Sequence, residues 1–234
     1  MRALVALVVF AGTAHAGSPT CGKPRKAQPS MPAAKLDAAC AKKDWGSCVA
    51  RGGQLLLADL KNAPKAHELF DKACQGGYLE GCSQDAELIA HGMLGTADLD
   101  KARGLYEKSC AGGDALGCSN LGAMYANARG VDADQPKAFE LYGKACACDL
   151  TIACTNLAFM YQAGNGTKVD YAKSFALWTK SCAKGEMHAC TNLGSSYLKG
   201  EGTTANRKKA FDLYRKGCKL GDASICQWLD THQE

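Results

Sequence analysis

From about residue 48 to residue 218, apolar and small residues recur three and four positions apart in short runs, and glycine-bearing turns separate the runs. This is the signature of helices with one buried stripe. Cys118-Ser-Asn-Leu-Gly-Ala-Met-Tyr125 matches Cys154-Thr-Asn-Leu-Ala-Phe-Met-Tyr161 and Cys190-Thr-Asn-Leu-Gly-Ser-Ser-Tyr197. Counted from the cysteine, the shared residues fall at offsets 0, 3, 4 and 7. The offset-four residue is small each time (Gly52, Ala86, Gly122, Ala158, Gly194), so a neighbouring helix can approach closely. We call this element helix A.

Gly164/Gly166 and Gly200/Gly202 mark its end, because glycine accepts the left-handed backbone that stops a helix. Helix B follows, as in Lys137-Ala138 to Leu141-Tyr142 to Ala145-Cys146, with equivalents at Ala66/Leu69/Phe70, Ala102/Leu105/Tyr106, Leu177/Trp178 and Ala210/Leu213/Tyr214. Glycine three residues beyond the helix-B cysteine (Gly77, Gly113, Gly185, Gly221) opens the next helix A, and Asp149 breaks that rule. The pattern predicts five helix A–helix B units over about 48–218, with a lead-in helix near 33–42 and a terminal helix after Cys226. A lone hairpin cannot bury both faces, so the units must stack into an all-α solenoid. Arg51 and Asp85 stand where later repeats carry Leu121, Leu157 and Leu193; an end repeat tolerates this, but Asp85 lies too far inside for that reason.

The cysteines keep the same period. Twelve form six pairs with seven residues between: Cys40/Cys48, Cys74/Cys82, Cys110/Cys118, Cys146/Cys154, Cys182/Cys190 and Cys218/Cys226. Pairing within each hairpin, such as Cys82 with Cys110, is geometrically open too. It would strand Cys40 and Cys226, whereas the local scheme uses all twelve and joins each repeat to the next. Cys21 and Cys148 remain, either joined to each other or free; Cys148 replaces a turn residue, which points towards a free or intermolecular role.

Fourteen cysteines suit an oxidising compartment. Met1-Arg2, the apolar run Ala3 to Gly12 and Ala14-His15-Ala16 read as an export signal over residues 1–16. A linker over 17–32 and the solenoid over 33–234 follow. The expected location is secreted or periplasmic, with no membrane insertion once the signal is removed. The +5 charge is dispersed, so nucleic acid is not an expected partner. No Cys-x-x-Cys occurs and the five histidines are scattered, so no metal and no cofactor is expected.

The run Cys-x-Asn-Leu-Gly-x-x-Tyr, then Gly-x-Gly, then Lys-Ala-x-x-Leu-Tyr-x-Lys-x-Cys resembles the Sel1-like repeat, a relative of the tetratricopeptide repeat, over about residues 40–230. The cysteine pairs are similar to those of the secreted Helicobacter cysteine-rich proteins. The resemblance implies a right-handed α/α superhelical solenoid of disulfide-linked helix-turn-helix repeats with a concave groove, and a protein or peptide partner. For the cysteine-rich branch it implies an alternative: a penicillin-binding or weakly β-lactam-hydrolysing protein whose ligand is a β-lactam or cell-wall fragment.

Ser181-Cys-Ala-Lys184 and Ser196-Tyr-Leu-Lys199 have the spacing of a serine activated by a lysine, but Ser-Asp-Asn and Lys-Thr-Gly are missing. No catalytic residue is assigned. Offsets one and five of helix A flank the core stripe and supply the candidate groove residues Ser83, Glu87, Ser119, Thr155, Phe159, Thr191 and Ser195. Such hydroxyls with one exposed aromatic suit an extended peptide, though hydroxyls also cap helices or merely cover a solvated face. Asn120, Asn156 and Asn192 point off the stripe, towards a neighbouring repeat or a ligand.

Overall fold

The computed structural model describes Cys21 and residues 31–232. The expected leader, and the expected linker apart from Cys21, Met31 and Pro32, lie outside the described residues. Twelve α-helices and one short 3₁₀ turn follow in order, with no strand among the described residues. They are α1 (Ala33–Ala41), α2 (Trp45–Ala58), α3 (Ala63–Gln75), α4 (Leu79–Ala90), α5 (Leu99–Ala111), α6 (Ala115–Ala126), α7 (Gln135–Ala147), α8 (Thr151–Ala163), α9 (Tyr171–Ala183), α10 (Met187–Lys199), α11 (Arg207–Lys219) and α12 (Ala223–Thr231). The even helices α2 to α10 are helix A, the odd ones α3 to α11 are helix B, and each pair makes one helix–turn–helix repeat. The chain divides into two compact units, up to Leu121 and from Gly122.

In the first unit α1 to α5 pack in chain order. Phe70 on α3 is the centre, buried with Val49 and Leu56 of α2, Ala66 and Ala73 of its own helix and Leu88 of α4. The small offset-four residue has its predicted use here, since Gly52 lies under the Phe70 ring. In the second unit α7 to α12 also pack in chain order. Trp178 takes the place of Phe70, fully buried against Ala158, Leu193 and the Cys182 and Cys190 side chains. Close packing in both units rests on the same 3-and-4 stripe and on one large ring per helix B.

Asparagine or aspartate starts helix B and the same residue ties it back to helix A. Asp98, Asp134, Asp170 and Asn206 each accept, on a side-chain oxygen, the backbone N–H three residues on at 2.9 Å. The backbone N–H groups of Asp134, Asp170 and Asn206 in turn donate to the carbonyls of Tyr125, Tyr161 and Tyr197 at 3.1, 2.8 and 2.8 Å. Such caps contribute about 1 kcal/mol each. The residue donating to the cap is a lysine every time, and Lys137, Lys173 and Lys209 lie over the rings of Tyr125, Tyr161 and Tyr197. The turn before α9 and α11 needs glycine twice over. Gly166 and Gly202 have φ of +67° and +72°, and a Cβ there would run into the backbone of Gln135 and Tyr171 respectively.

All six local disulfides form as the spacing predicts: Cys40–Cys48, Cys74–Cys82, Cys110–Cys118, Cys146–Cys154, Cys182–Cys190 and Cys218–Cys226, with Cα–Cα separations from 4.5 to 4.9 Å. Each fastens the end of one helix to the start of the next across the turn that opens helix A. Cys21 and Cys148 are disulfide-bonded as well, and no cysteine is free. This corrects the expectation of a free or intermolecular role drawn from Cys148's place in a turn; a turn position leaves the sulfur accessible to a distant partner. Fourteen bonded cysteines point to an oxidising environment. No helix among the described residues is long and apolar enough to cross a membrane.

Cys48 holds the same place in its helix as the other helix-A cysteines. α2 begins at Trp45, three residues ahead of the cysteine, as α4, α6, α8 and α10 begin three residues ahead of Cys82, Cys118, Cys154 and Cys190. The Asp44 carbonyl accepts the N–H groups of Ser47 and Cys48 at 3.0 and 3.2 Å and closes the first helical turn. Cys48 is also 0% exposed, within the core around Phe70. It is therefore a core residue as well as one half of a staple, and its bond to Cys40 joins the lead-in helix α1 to the first unit rather than one repeat to another.

Candidate functional site

Helix A carries the polar residues in question, and its buried stripe fixes which way they face. The offset-one hydroxyls of Ser83, Thr155 and Thr191 turn towards the following repeat. Thr155 donates to Glu186 Oε2 at 3.1 Å and Thr191 to Asp222 Oδ2 at 2.8 Å. Ser83 donates to the Asp114 carboxylate and lies 2.9 Å from Ser109 Oγ. Each of those acids is the residue before the next helix A and caps it: Asp114 accepts from Gly117 N at 2.9 Å, Glu186 from His188 N at 3.2 Å, and Asp222 from Ile225 N at 3.1 Å. Ser83, Ser119 and Thr155 are buried, and Thr191 is half-buried. Three of the four hydroxyls therefore latch one repeat to the cap of the next. Sequence reading weighed capping of their own helix and missed this one, although the acid four residues before Cys118, Cys190 and Cys226 was a visible signal.

The offset-five residues differ. Glu87 accepts from Tyr106 Oη at 3.1 Å and from Asn120 Nδ2 at 2.8 Å, so its carboxylate bridges α4 to its neighbours. Ser195 lies 3.1 Å from Tyr214 Oη. Phe159 stands out: its side chain is 51% exposed on a helix whose other apolar residues are largely covered. One turn back on α8, Asn156 is half-buried, as is Asn192 at the same position of α10. Asn120 finds Glu87, but Asn156 and Asn192 make no side-chain hydrogen bond among those of the described residues. Gln162, further along α8, donates to Glu201 Oε2 at 2.7 Å. Within the second unit, the flank of helix A thus presents one bare aromatic ring beside carboxamides with free donors and acceptors.

The profile of the Sel1 repeat matches five times, at residues 54–78, 80–114, 115–150, 151–186 and 188–222, which together take in well over half of the chain. The chain belongs to the Sel1 repeat family. Among solved structures it is similar to a Sel1 repeat protein from Oxalobacter formigenes (21% identity, 86% of this chain and 78% of that one, TM-score 0.67). It is also similar to a Sel1 repeat protein from Klebsiella pneumoniae (21% identity, 86% and 99%, TM-score 0.61). Helicobacter pylori cysteine rich protein B matches at 29% identity over 58% of this chain and 98% of that one, with a TM-score of 0.46. No curated protein matches the chain. From Cys74–Cys82 to Cys182–Cys190 the boundaries of the Sel1 repeats fall between the two cysteines of a pair, so each of those disulfides staples neighbouring repeats. Cys218–Cys226 fastens the last repeat to α12. The first match opens at residue 54, so Cys48 and its bond to Cys40 lie ahead of it.

Neither serine with lysine spacing is built as a nucleophile in this Sel1 fold. Ser196 Oγ is fully buried and has no hydrogen-bond partner, and Ser181, 1% exposed, reaches only the Thr151 carbonyl at 3.5 Å. A nucleophile needs a base within hydrogen-bond reach and an open approach. Ser196 occupies the position of Leu88, Met124 and Met160, so it is a core residue made small. Trp178 is larger than the Phe70, Tyr106, Tyr142 and Tyr214 of its equivalents and is fully buried. Its indole N–H is buried and also lacks a partner. Burial alone pushes the Tyr142 phenol up to about 12, which keeps it neutral in the core. Among the described residues no group of three or more histidine, cysteine or acidic side chains is placed to hold a metal.

Proposed function

We propose that the protein is an exported scaffold, secreted or periplasmic, that binds a protein or peptide partner through the flank of helix A. Sel1 repeat proteins are typically protein-interaction modules, and that generality supports the reading. The single observation that carries it is Phe159, half exposed beside Asn156, with Asn192 and Ser195 on the next helix A. Exposed aromatic rings anchor interfaces, and unpaired carboxamides can hydrogen-bond an extended main chain. Bonded cysteines throughout and the leader-like first sixteen residues support export.

The test is affinity capture from the envelope of the exporting cell with oxidised protein, comparing wild type with Phe159→Ser and Asn156→Ala/Asn192→Ala. A partner held by wild type and lost by both variants is expected. Capture that is unchanged by both variants excludes this face. The hydrolase alternative finds no support in the placement of Ser181 and Ser196, and the hydroxyls of Ser83, Thr155 and Thr191 enter this proposal only as the latches that set the spacing of the surface.

A further inference from the structure

A cleft of about 650 Å³ opens in the first unit, between the end of α1, the start of α2 and the end of α3. Its lining includes Asp37, Lys43, Trp45, Leu69, Lys72 and Gln75, with Cys40 at its edge. That volume falls within the range of small-molecule sites. The cleft is distinct from the Phe159 surface, and its origin can be traced in the repeat.

One lysine stands two residues before every helix-B cysteine: Lys72, Lys108, Lys144, Lys180 and Lys216. In two later repeats it reaches back over the preceding helix end. Lys216 Nζ donates to the Cys182 carbonyl at 2.8 Å and Lys108 Nζ approaches the Cys74 carbonyl at 3.4 Å. The equivalent carbonyl for Lys72 is that of Cys40, and Lys72 does not bond it; its side chain lines the cleft instead. The position three before the helix-A cysteine, filled by Leu79, Ala115, Thr151 and Met187 in the later repeats, holds Trp45 here. The indole lies against Gly76, where a Cβ would sit 2.7 Å from Trp45 Cδ2. Glycine at 76 therefore lets the ring lie flat as one wall.

The charges inside are unbalanced. Asp37 is already paired with Arg51 at 2.9 Å, and Gln75 donates to Asp71. Lys43 and Lys72 have no side-chain partner among the described residues. Two uncompensated ammoniums face an apolar wall of Trp45 and Leu69. We propose that this cleft binds a small organic monoanion with a flat apolar body, its acid group between Lys43 and Lys72 and its ring against Trp45.

The probe is 8-anilinonaphthalene-1-sulfonate, with its uncharged parent N-phenyl-1-naphthylamine as the control, added to the oxidised full chain. Saturable binding is expected, with energy transfer from tryptophan that Trp45→Phe alters. Lys43→Gln/Lys72→Gln is expected to weaken binding at least tenfold, and the uncharged parent to bind at least tenfold less tightly. Equal binding by the double variant, equal binding of the parent, or no saturable binding each overturns the proposal. Should the double variant melt at a lower temperature than wild type, salt titration of wild type decides: affinity that does not fall with ionic strength overturns it.

Discussion

His67 on α3 donates an imidazole hydrogen bond to Asp85 on α4, and the two residues stand where a later repeat has Phe175 and Leu193. Asp85 is 1% exposed. An apolar contact between helix B and the next helix A has been exchanged for a polar one. Burial raises the Asp85 carboxyl above its ordinary range, and the bond to His67 opposes that without cancelling it. This accounts for the acid that sits too deep to be an end-of-array substitution.

Replacing one partner should hurt far more than replacing both. His67→Phe leaves a buried carboxylate unpaired and is expected to lower stability by about 3 kcal/mol near neutral pH. His67→Phe/Asp85→Leu restores the apolar pair and should match or exceed wild type. Because the folded-state pKa of Asp85 is raised, its contribution is fully present below the unfolded value and is lost as pH rises through the folded one. The His67→Phe defect should therefore shrink on acidification towards pH 4. Denaturant titration of the three variants at both pH values checks this; a double variant as weak as the single one rejects it.

The latch between repeats makes a second prediction. Thr191→Val removes the donor to Asp222 while keeping the shape, and Asp222 also caps α12. A hydrogen bond to a charged group is worth about 1.5–3 kcal/mol. Amide exchange should accelerate in α12 and leave α8 nearly unchanged. Thr155→Val should act instead on α10, whose cap is Glu186.

Glycines with similar φ should respond differently. Gly185 has φ +85° and no atom within 4 Å of a built Cβ, so Gly185→Ala bears only the left-handed penalty of about 1–2 kcal/mol. Gly202 has φ +72° and in addition faces the Tyr171 carbonyl, with Phe175 Cβ 3.0 Å away. Gly202→Ala should lose at least twice as much. Thermal denaturation of the oxidised pair measures the difference.

Much of this architecture could be read from one chain because the period is carried by residues that are hard to substitute. The disulfides need two cysteines at a fixed separation, and the stripe needs small residues under Phe70 and Trp178. Partners across repeats were harder to see. Thr191 and Asp222 are 31 residues apart, and His67 precedes Asp85 by 18, so neither pair falls on a single helix stripe. An offset-one hydroxyl read on its own helix looks like a groove residue; only the stacked neighbour reveals the acid it meets. Phe159 was legible as an off-stripe aromatic, but its 51% exposure depends on what the next helix A leaves uncovered. The Trp45 cleft went unseen because it arises from one odd residue in an otherwise regular array.

Asp149 supplies the sharpest pH test. It sits where other repeats have a left-handed glycine, with φ +64°, and its carboxylate is held by Lys180 at 2.8 Å and by Lys184. Partial burial pushes its pKa up, but the hydrogen bonds and charges of the two ammoniums outweigh that, and the net shift is downward. A depressed carboxyl stabilises the fold above its unfolded pKa of about 3.9 and loses that contribution as pH falls through the folded value. Asp149→Gly relieves backbone strain of about 1 kcal/mol and removes ion pairs worth about 0–1 kcal/mol each. The two effects nearly offset at neutral pH. As pH falls through the folded value the ion-pair contribution is lost and the relief of strain remains, so the balance should move towards the glycine variant. Melting curves taken from about pH 7 down to about pH 2 check this, and a wild type whose standing against the glycine variant does not fall on acidification would mean that Asp149 is held by something other than its charge.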